Sequence, residues 1–216
     1  MVRNASLSKE LTKAKVAPFE ILIPARQATL PLLWCKPPVL SSKPQGETWK
    51  YNDVPYLGKM IEPAIITFEG ALLCGASAPM SLRSFTPWTL WPKVMPQLSR
   101  VSNRCNADLL SLRAFDGVPV FGPTADPSFT YWGGAEVMGP NEGFEHLEIP
   151  AGTYAVFHYK GLSSDSTVWR YIYSQWLPTS PWELDDRPHF ERLGAKYKNE
   201  DPNSEEDIYI PIRPKA

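Results

Sequence analysis

From Ala64 onward the apolar positions fall into short, regular runs. Ala64–Ala76 (AIITFEGALLCGA) is rich in strand-forming residues and is interrupted at Glu69-Gly70, where a bulge is expected. Thr86 then caps a turn that places Pro87 at a first helical position. Behind it Trp88, Trp91, Met95 and Leu98 recur at helical spacing. Pro92 and Pro96 interrupt that series, which predicts a short or kinked helix, or one that begins after Pro92. Leu109–Phe115 and Phe129–Met138 read as strands joined by a loop rich in glycine and proline, followed by strands at Phe144–Ile149 and Tyr154–Lys160. Ser163, Ser164 and Asp165 supply helix-capping oxygens. The stripe Val168, Trp169, Ile172, Tyr173, Trp176 and Leu177 predicts an amphipathic helix that stops at Pro178. Strands around His189–Leu193 and Asp207–Ile212 complete the pattern.

The two halves repeat one grammar. Leu90–Pro96 lies over Ile172–Pro178, each an aromatic helical turn closed by an aliphatic-proline pair and followed by two strands. That is a duplicated β-α-β-β unit with a period of about eighty residues. It predicts an α+β domain: a curved antiparallel sheet with both helices on one face and a ligand cleft on the other.

Residues 1–61 differ. Phe19–Ile23 is a candidate strand, but Pro24, Pro31, Pro37, Pro38, Pro44 and Pro55 follow, and each removes a backbone donor. Leu30, Leu32, Leu33, Trp34, Trp49, Tyr51 and Tyr56 are too apolar for a solvated tail. This stretch is expected to be an irregular proline-rich arm packed on the main domain, which occupies residues 62–216.

Composition narrows the function classes. The chain has 216 residues, 43% of them hydrophobic, and a formal net charge of −1. Without a basic stripe it lacks the phosphate-neutralising surface of a nucleic-acid binder. It contains no apolar run of about 18 residues or more, so no membrane span is expected. The first residues carry Arg3, Lys9, Lys13 and Lys15 but no apolar core of a secretion signal, which points to the cytoplasm. Cys35, Cys74 and Cys105 are odd in number and far apart, as reduced thiols would be. His146, His158 and His189 have no metal-binding spacing, and no GxSxG, GxGxxG or phosphate-binding loop occurs. No metal or cofactor is expected.

Some strand residues carry candidate chemistry. Trp132 and Glu136 are four apart on one strand and share a face, with Gly134 between them. Either a ligand ring approaches over Gly134, or the sheet bends tightly there. Trp91, Trp169, Tyr173 and Trp176 lie on helical stripes and read as core. Tyr154 and Tyr209 either line a cleft or pack under a helix. Taken alone, Glu191 reads as an exposed strand acid facing Arg187 or Arg192.

The run Ile149-Pro150-Ala151-Gly152-Thr153-Tyr154-Ala155-Val156-Phe157-His158-Tyr159-Lys160-Gly161 resembles the IPAGxYAVFxxKG signature of GyrI-like domains, the effector-binding domains of bacterial transcription activators. Trp176-Leu177-Pro178, Trp182–Asp186, Arg187–Glu191, Asp201-Pro202 and Asp207–Ile212 resemble the same family's C-terminal pattern, in order. The first half is similar more loosely, through Leu90–Pro96, Leu109–Asp116 and Trp132–Val137, so the resemblance covers residues 62 to 214. It implies the duplicated fold and a cleft for small cationic or polycyclic aromatic compounds.

It also implies that Glu191 is the acid pointing into that cleft, where desolvation among aromatic rings favours pairing with a cation or general-base action on water. Glu191 and Glu136 are the catalytic candidates. Trp132, Tyr154, Tyr209, Phe190, Arg113 and Trp182 are the ligand-binding candidates. Family members occur behind a helix-turn-helix or alone, and residues 1–60 are too broken by proline to hold two adjoining helices. The expectation is therefore a stand-alone binder of a planar or cationic hydrophobic compound. The alternatives are a hydrolase opening cyclopropane-bearing or other electrophilic genotoxins, and a gyrase-protecting interaction domain, with the arm available to a protein partner or a second copy. A haem-binding role ranks last, because no ligand histidine is evident.

Overall fold

The computed structural model describes residues 61–122 and 124–216. Apart from Ile61, the expected arm lies outside the described residues. The first strands are β1 (Ala64–Phe68) and β2 (Ala71–Ser81), separated at Glu69-Gly70 where the sequence pattern breaks. Gly70 has φ +90° there, and a Cβ at that position would meet the Ile149 carbonyl and Ala151 backbone at 3.2 and 3.3 Å. Strands β3 (Leu109–Phe115) and β4 (Ser128–Val137) close the first unit. The second repeats it with β5 (Glu145–Ile149), β6 (Gly152–Lys160), β8 (His189–Leu193) and β9 (Glu205–Pro214). The short β7 (Trp182–Leu184), which the sequence pattern did not announce, pairs with β9.

The sheet runs β1-β6-β9-β8-β3-β4-β2-β5, antiparallel at each pairing. This order is palindromic about the β8–β3 junction: β1 answers β5, β6 answers β2, β9 answers β4. Each unit's leading strand crosses to the other unit. Phe68 pairs with Gly152 and Ala71 with Ile149, so the two bent strand pairs clasp where both are broken. The expected duplication is thus present and interlocked.

The first helical region is shorter than its stripe suggested, and the second runs longer. In the first unit a 3₁₀ turn (Pro87–Thr89), α1 (Trp91–Val94) and a second 3₁₀ turn (Leu98–Arg100) follow one another. Helix α1 begins at Trp91 with Pro92 inside its first turn, where proline's missing N–H costs no ladder bond. The buried set is Leu90, Trp91, Val94 and Leu98, whereas Met95, counted on the expected stripe, is 45% exposed. In the second unit α2 (Thr167–Tyr171) passes into a π turn (Ile172–Trp176) and then α3 (Leu177–Thr179). The helix therefore continues through Pro178 instead of stopping there. Asp165 caps it, its carboxylate accepting from the Thr167 N–H at 2.8 Å.

Alternation along the strands sorts the core into three layers. Cys74, Trp91, Val94, Phe129, Tyr131, Ala135 and Val137 pack under the first helical region. Ala155, Phe157, Val168, Ile172, Trp176, Ile208 and Ile210 pack under the second. On the opposite face Leu73, Leu110, Leu112, Trp132, Ile149, Tyr154 and Phe190 are buried, with Phe68 and Tyr209 against them. Between the two helix-side cores, the middle strands β3 and β8 present a different kind of side chain.

Candidate functional site

On the helix face of β3 and β8 the register pairs Ser111 with Glu191 and Arg113 with His189. All four are buried, at 9% exposure or less. Charged and polar groups at such depth are retained when they satisfy one another, and here most do. Arg113 Nη2 donates to Glu191 Oε1 at 3.2 Å, and the Ser111 hydroxyl donates to Oε2. Because Ser111 spends its proton on the carboxylate, the Tyr131 hydroxyl must be the donor in its 3.1 Å contact with Ser111. Trp91 Nε1–H in turn donates to the Tyr131 oxygen at 2.8 Å. One directed chain thus runs from α1 through β4 and β3 to the carboxylate on β8.

Aromatic rings enclose the guanidinium. The Arg113 Cζ atom lies 4.8 Å from the Phe85 ring and 4.5 Å from the Trp169 ring. Trp169 is stacked toward Tyr173, with centroids 6.0 Å apart, and Tyr173 stacks on Phe121 at 3.9 Å. The row Phe85–Arg113–Trp169–Tyr173–Phe121 therefore bridges the two units. Cation–π contacts of this kind contribute about 0.5–2 kcal/mol each, the upper end applying where the cation is desolvated.

Electrostatics follow from burial. Burial works against the Arg113 charge, but the Glu191 carboxylate outweighs it, and the guanidinium pKa rises. Burial, then the Glu191 charge, push the Tyr131 hydroxyl up. Burial pushes Tyr173 up as well. His189 moves the other way: burial and the Arg113 charge lower it to about 3, so its ring is neutral. Its Nδ1 lies 2.7 Å from the Tyr173 hydroxyl. Glu206, one strand away on the same face, is pushed up to about 8 by burial and by Glu191.

The sheet divides the residues expected to share one cleft. Glu191 and Arg113 come together on the helix face. Trp132, Tyr154, Phe190 and Tyr209 lie on the other, where Phe190 stacks on Tyr209 at 4.3 Å and Tyr154 meets Phe190 edge-on at 5.5 Å. Glu136 belongs to that second face and pairs with Arg192 at 2.9 Å. Glu136 and Glu191 therefore do not form a two-carboxylate site. Trp182 is elsewhere again, lining a surface pocket of about 380 Å³ with Leu177, Pro178 and Arg213.

Gly134 is explained by its neighbours in the sheet: a Cβ there would sit 2.3 Å from the Cys74 carbonyl oxygen, and one on its partner Gly75 would sit 2.0 Å from the Gly133 oxygen. Close strand approach, not an approaching ring, demands these glycines.

Sequence reasoning passed over Ser111, Tyr131, His189, Glu206, Phe85 and Phe121, and it assigned Trp91, Trp169 and Tyr173 to the core. A signal was present. In Leu110-Ser111-Leu112-Arg113 and His189-Phe190-Glu191 polar residues alternate with large apolar ones on strands in the middle of the sheet. Such alternation means one polar face on a strand with no solvent beside it. Among the described residues no cluster of three or more His, Cys, Asp and Glu side chains is placed to hold a metal, and no helix is long and apolar enough to cross a membrane.

Comparison with known proteins agrees with this architecture. The structure of a protein named SAV2435, bound to tetraphenylphosphonium, is similar with a TM-score of 0.50 at 16% identity, over 71% of this chain and 94% of that one. The C-terminal domain of EcmrR is similar with a TM-score of 0.51 at 17% identity, over 73% of this chain and all of that one (100%). No curated protein sequence matches the chain significantly. At the sequence level, the pattern of the family described as the GyrI-like small molecule binding domain matches residues 121–213. Together with the duplicated sheet, this match places a GyrI-like small molecule binding domain at residues 121–213 of the chain.

Proposed function

We propose that this domain binds a planar hydrophobic compound on its helix face, in the strip between the two helix-side cores. The observation that carries the reading is the seating of Arg113. A flat guanidinium already lies between the rings of Phe85 and Trp169, with its charge met by buried Glu191. Rings from both units converge there, so a flat ligand gains stacking from each. SAV2435, similar in fold, is bound to a cationic aromatic compound. In this chain a cation would meet Arg113 already in place.

Glu191 is a weak candidate for general-base work. Its oxygens already accept from Ser111 and Arg113 and its side chain is only 10% exposed, so little of the carboxylate is open to a water. The binding reading therefore stands ahead of the hydrolase reading. A protein-interaction role through the arm concerns residues outside those described.

The test is fluorescence titration of the full chain with the hydroxymethyl derivative of anthracene. Trp169→Ala and Phe85→Ala should each weaken binding about tenfold, roughly 1.4 kcal/mol. Trp182→Ala and Tyr209→Ala should leave it unchanged. Loss of binding in Tyr209→Ala with retention in Trp169→Ala would move the site to the opposite face and refute the proposal.

A further inference from the structure

Two buried donors in the strip have no partner among the described residues. Arg113 Nη1 is buried without a hydrogen bond, although Nη2 of the same guanidinium is bonded to Glu191. His189 Nε2 is likewise buried and unbonded. These residues face each other directly across the β3–β8 ladder, with side chains on one face. Arg113 lies in the ring-lined row and His189 lies against it: Phe115 meets His189 edge-on at 5.1 Å, and Phe121 lies 6.3 Å from it.

The proton on His189 can be placed. The ring is neutral, so one nitrogen carries hydrogen. If Tyr173 donates to Nδ1, the hydrogen sits on Nε2 and one group is left over. If Nδ1 donates to Tyr173, both the hydroxyl proton and the Nε2 lone pair are left over. The first arrangement leaves fewer buried groups unsatisfied, and it makes Nε2 a donor. Arg113 and His189, paired across the ladder, therefore each offer a buried N–H and, at those atoms, no acceptor.

Charge points the same way. Arg113 and Glu191 cancel, His189 is neutral, and Glu206, held up to about 8, is protonated at neutral pH. Among the described residues of the strip an incoming cation finds no free carboxylate, and it must displace a guanidinium that is stacked, ion-paired and hydrogen-bonded.

We infer that the ligand is a planar aromatic compound bearing an acceptor oxygen, a carbonyl or carboxylate, received by Arg113 Nη1 and His189 Nε2. Arg113 is the residue that sets this preference over cations. The inference rests on the binding role proposed above and names the ligand's class.

The test uses an isosteric series on the full chain: the carboxylate, hydroxymethyl and aminomethyl derivatives of anthracene, titrated by fluorescence at neutral pH. The carboxylate should bind at least about tenfold more tightly than the ammonium compound. Arg113→Gln should reverse that order, because Glu191 then faces the site without its counter-charge. His189→Leu, which keeps the ion pair, should weaken the carboxylate several-fold and leave the ammonium compound unaffected, so the inference remains testable if Arg113→Gln does not fold. Preference of the wild-type chain for the ammonium compound, or equal binding of all three, overturns the inference and leaves the binding role intact. Binding of none of them overturns the binding role, and the inference with it.

Discussion

Neutralising Glu191 should destabilise the fold far more than an exposed carboxylate would. Its carboxylate and the Arg113 guanidinium are 3.2 Å apart, with side chains 10% and 11% exposed. At an effective dielectric near 20, charges at that separation attract by about 5 kcal/mol. Desolvating both ions offsets most of that gain, so the intact pair adds little net stability. Removing one partner is different, because Arg113 then stays buried with nothing opposing its charge. The expected loss for Glu191→Gln is about 3–5 kcal/mol. A shift of about 2–4 °C per kcal/mol in a domain of this size places the melting temperature roughly 10 °C lower. Arg113→Met should cost a similar amount. The double variant Arg113→Met with Glu191→Gln should recover most of the loss, because neither charge is then stranded. Urea unfolding followed by tryptophan fluorescence completes the cycle, with an expected coupling of about 2 kcal/mol or more. Single losses below about 1 kcal/mol that add without coupling would mean a solvated pair. That result would refute the buried site as described.

Two further expectations test the sheet and the second carboxyl. Gly134→Ala should cost about 3 kcal/mol in unfolding experiments, because its Cβ meets backbone that cannot move alone; unchanged stability with lost ligand binding would favour the ring-approach reading instead. Glu206 titrates at about 8 in the fold, against 4.5 for an ordinary glutamate. A carboxyl raised in this way contributes stability that is complete below the ordinary value and is lost as pH rises through the raised one. Wild-type stability should therefore decline between pH 4.5 and 8, and Glu206→Gln should flatten that decline; an unaltered pH profile in the variant would show that another group is responsible.

Much of the fold was legible along the chain because its information is local. Leu109–Phe115 and His189–Leu193 are bounded in the structure as their apolar patterns predict, and the duplication shows in two helical turns that end in the same way. Element ends were less legible. Whether Pro92 opens a helix or Pro178 closes one depends on which carbonyl each would deprive of a donor, and that is set by the turn already formed. Glu191 could be named from sequence, but its surroundings could not. Period-two alternation says that Phe190 and Glu191 point oppositely, not which of them meets the helices. That choice was made when β8 docked beside β3 at the centre of the sheet. The docking put Glu191 against Ser111 and Arg113 from a strand some eighty residues earlier, at |i−j| of 80 and 78, and left Trp132, Tyr154 and Tyr209 on the far side. Residue types and their spacing determined a duplicated β-α-β-β pattern, and the family resemblance singled out Glu191; the clasp and the burial of that acid came from the pairing of the strands. Strand order determined that this acid would face an arginine and not a ring wall, because a sheet separates its two faces completely and only pairing assigns each strand its neighbours.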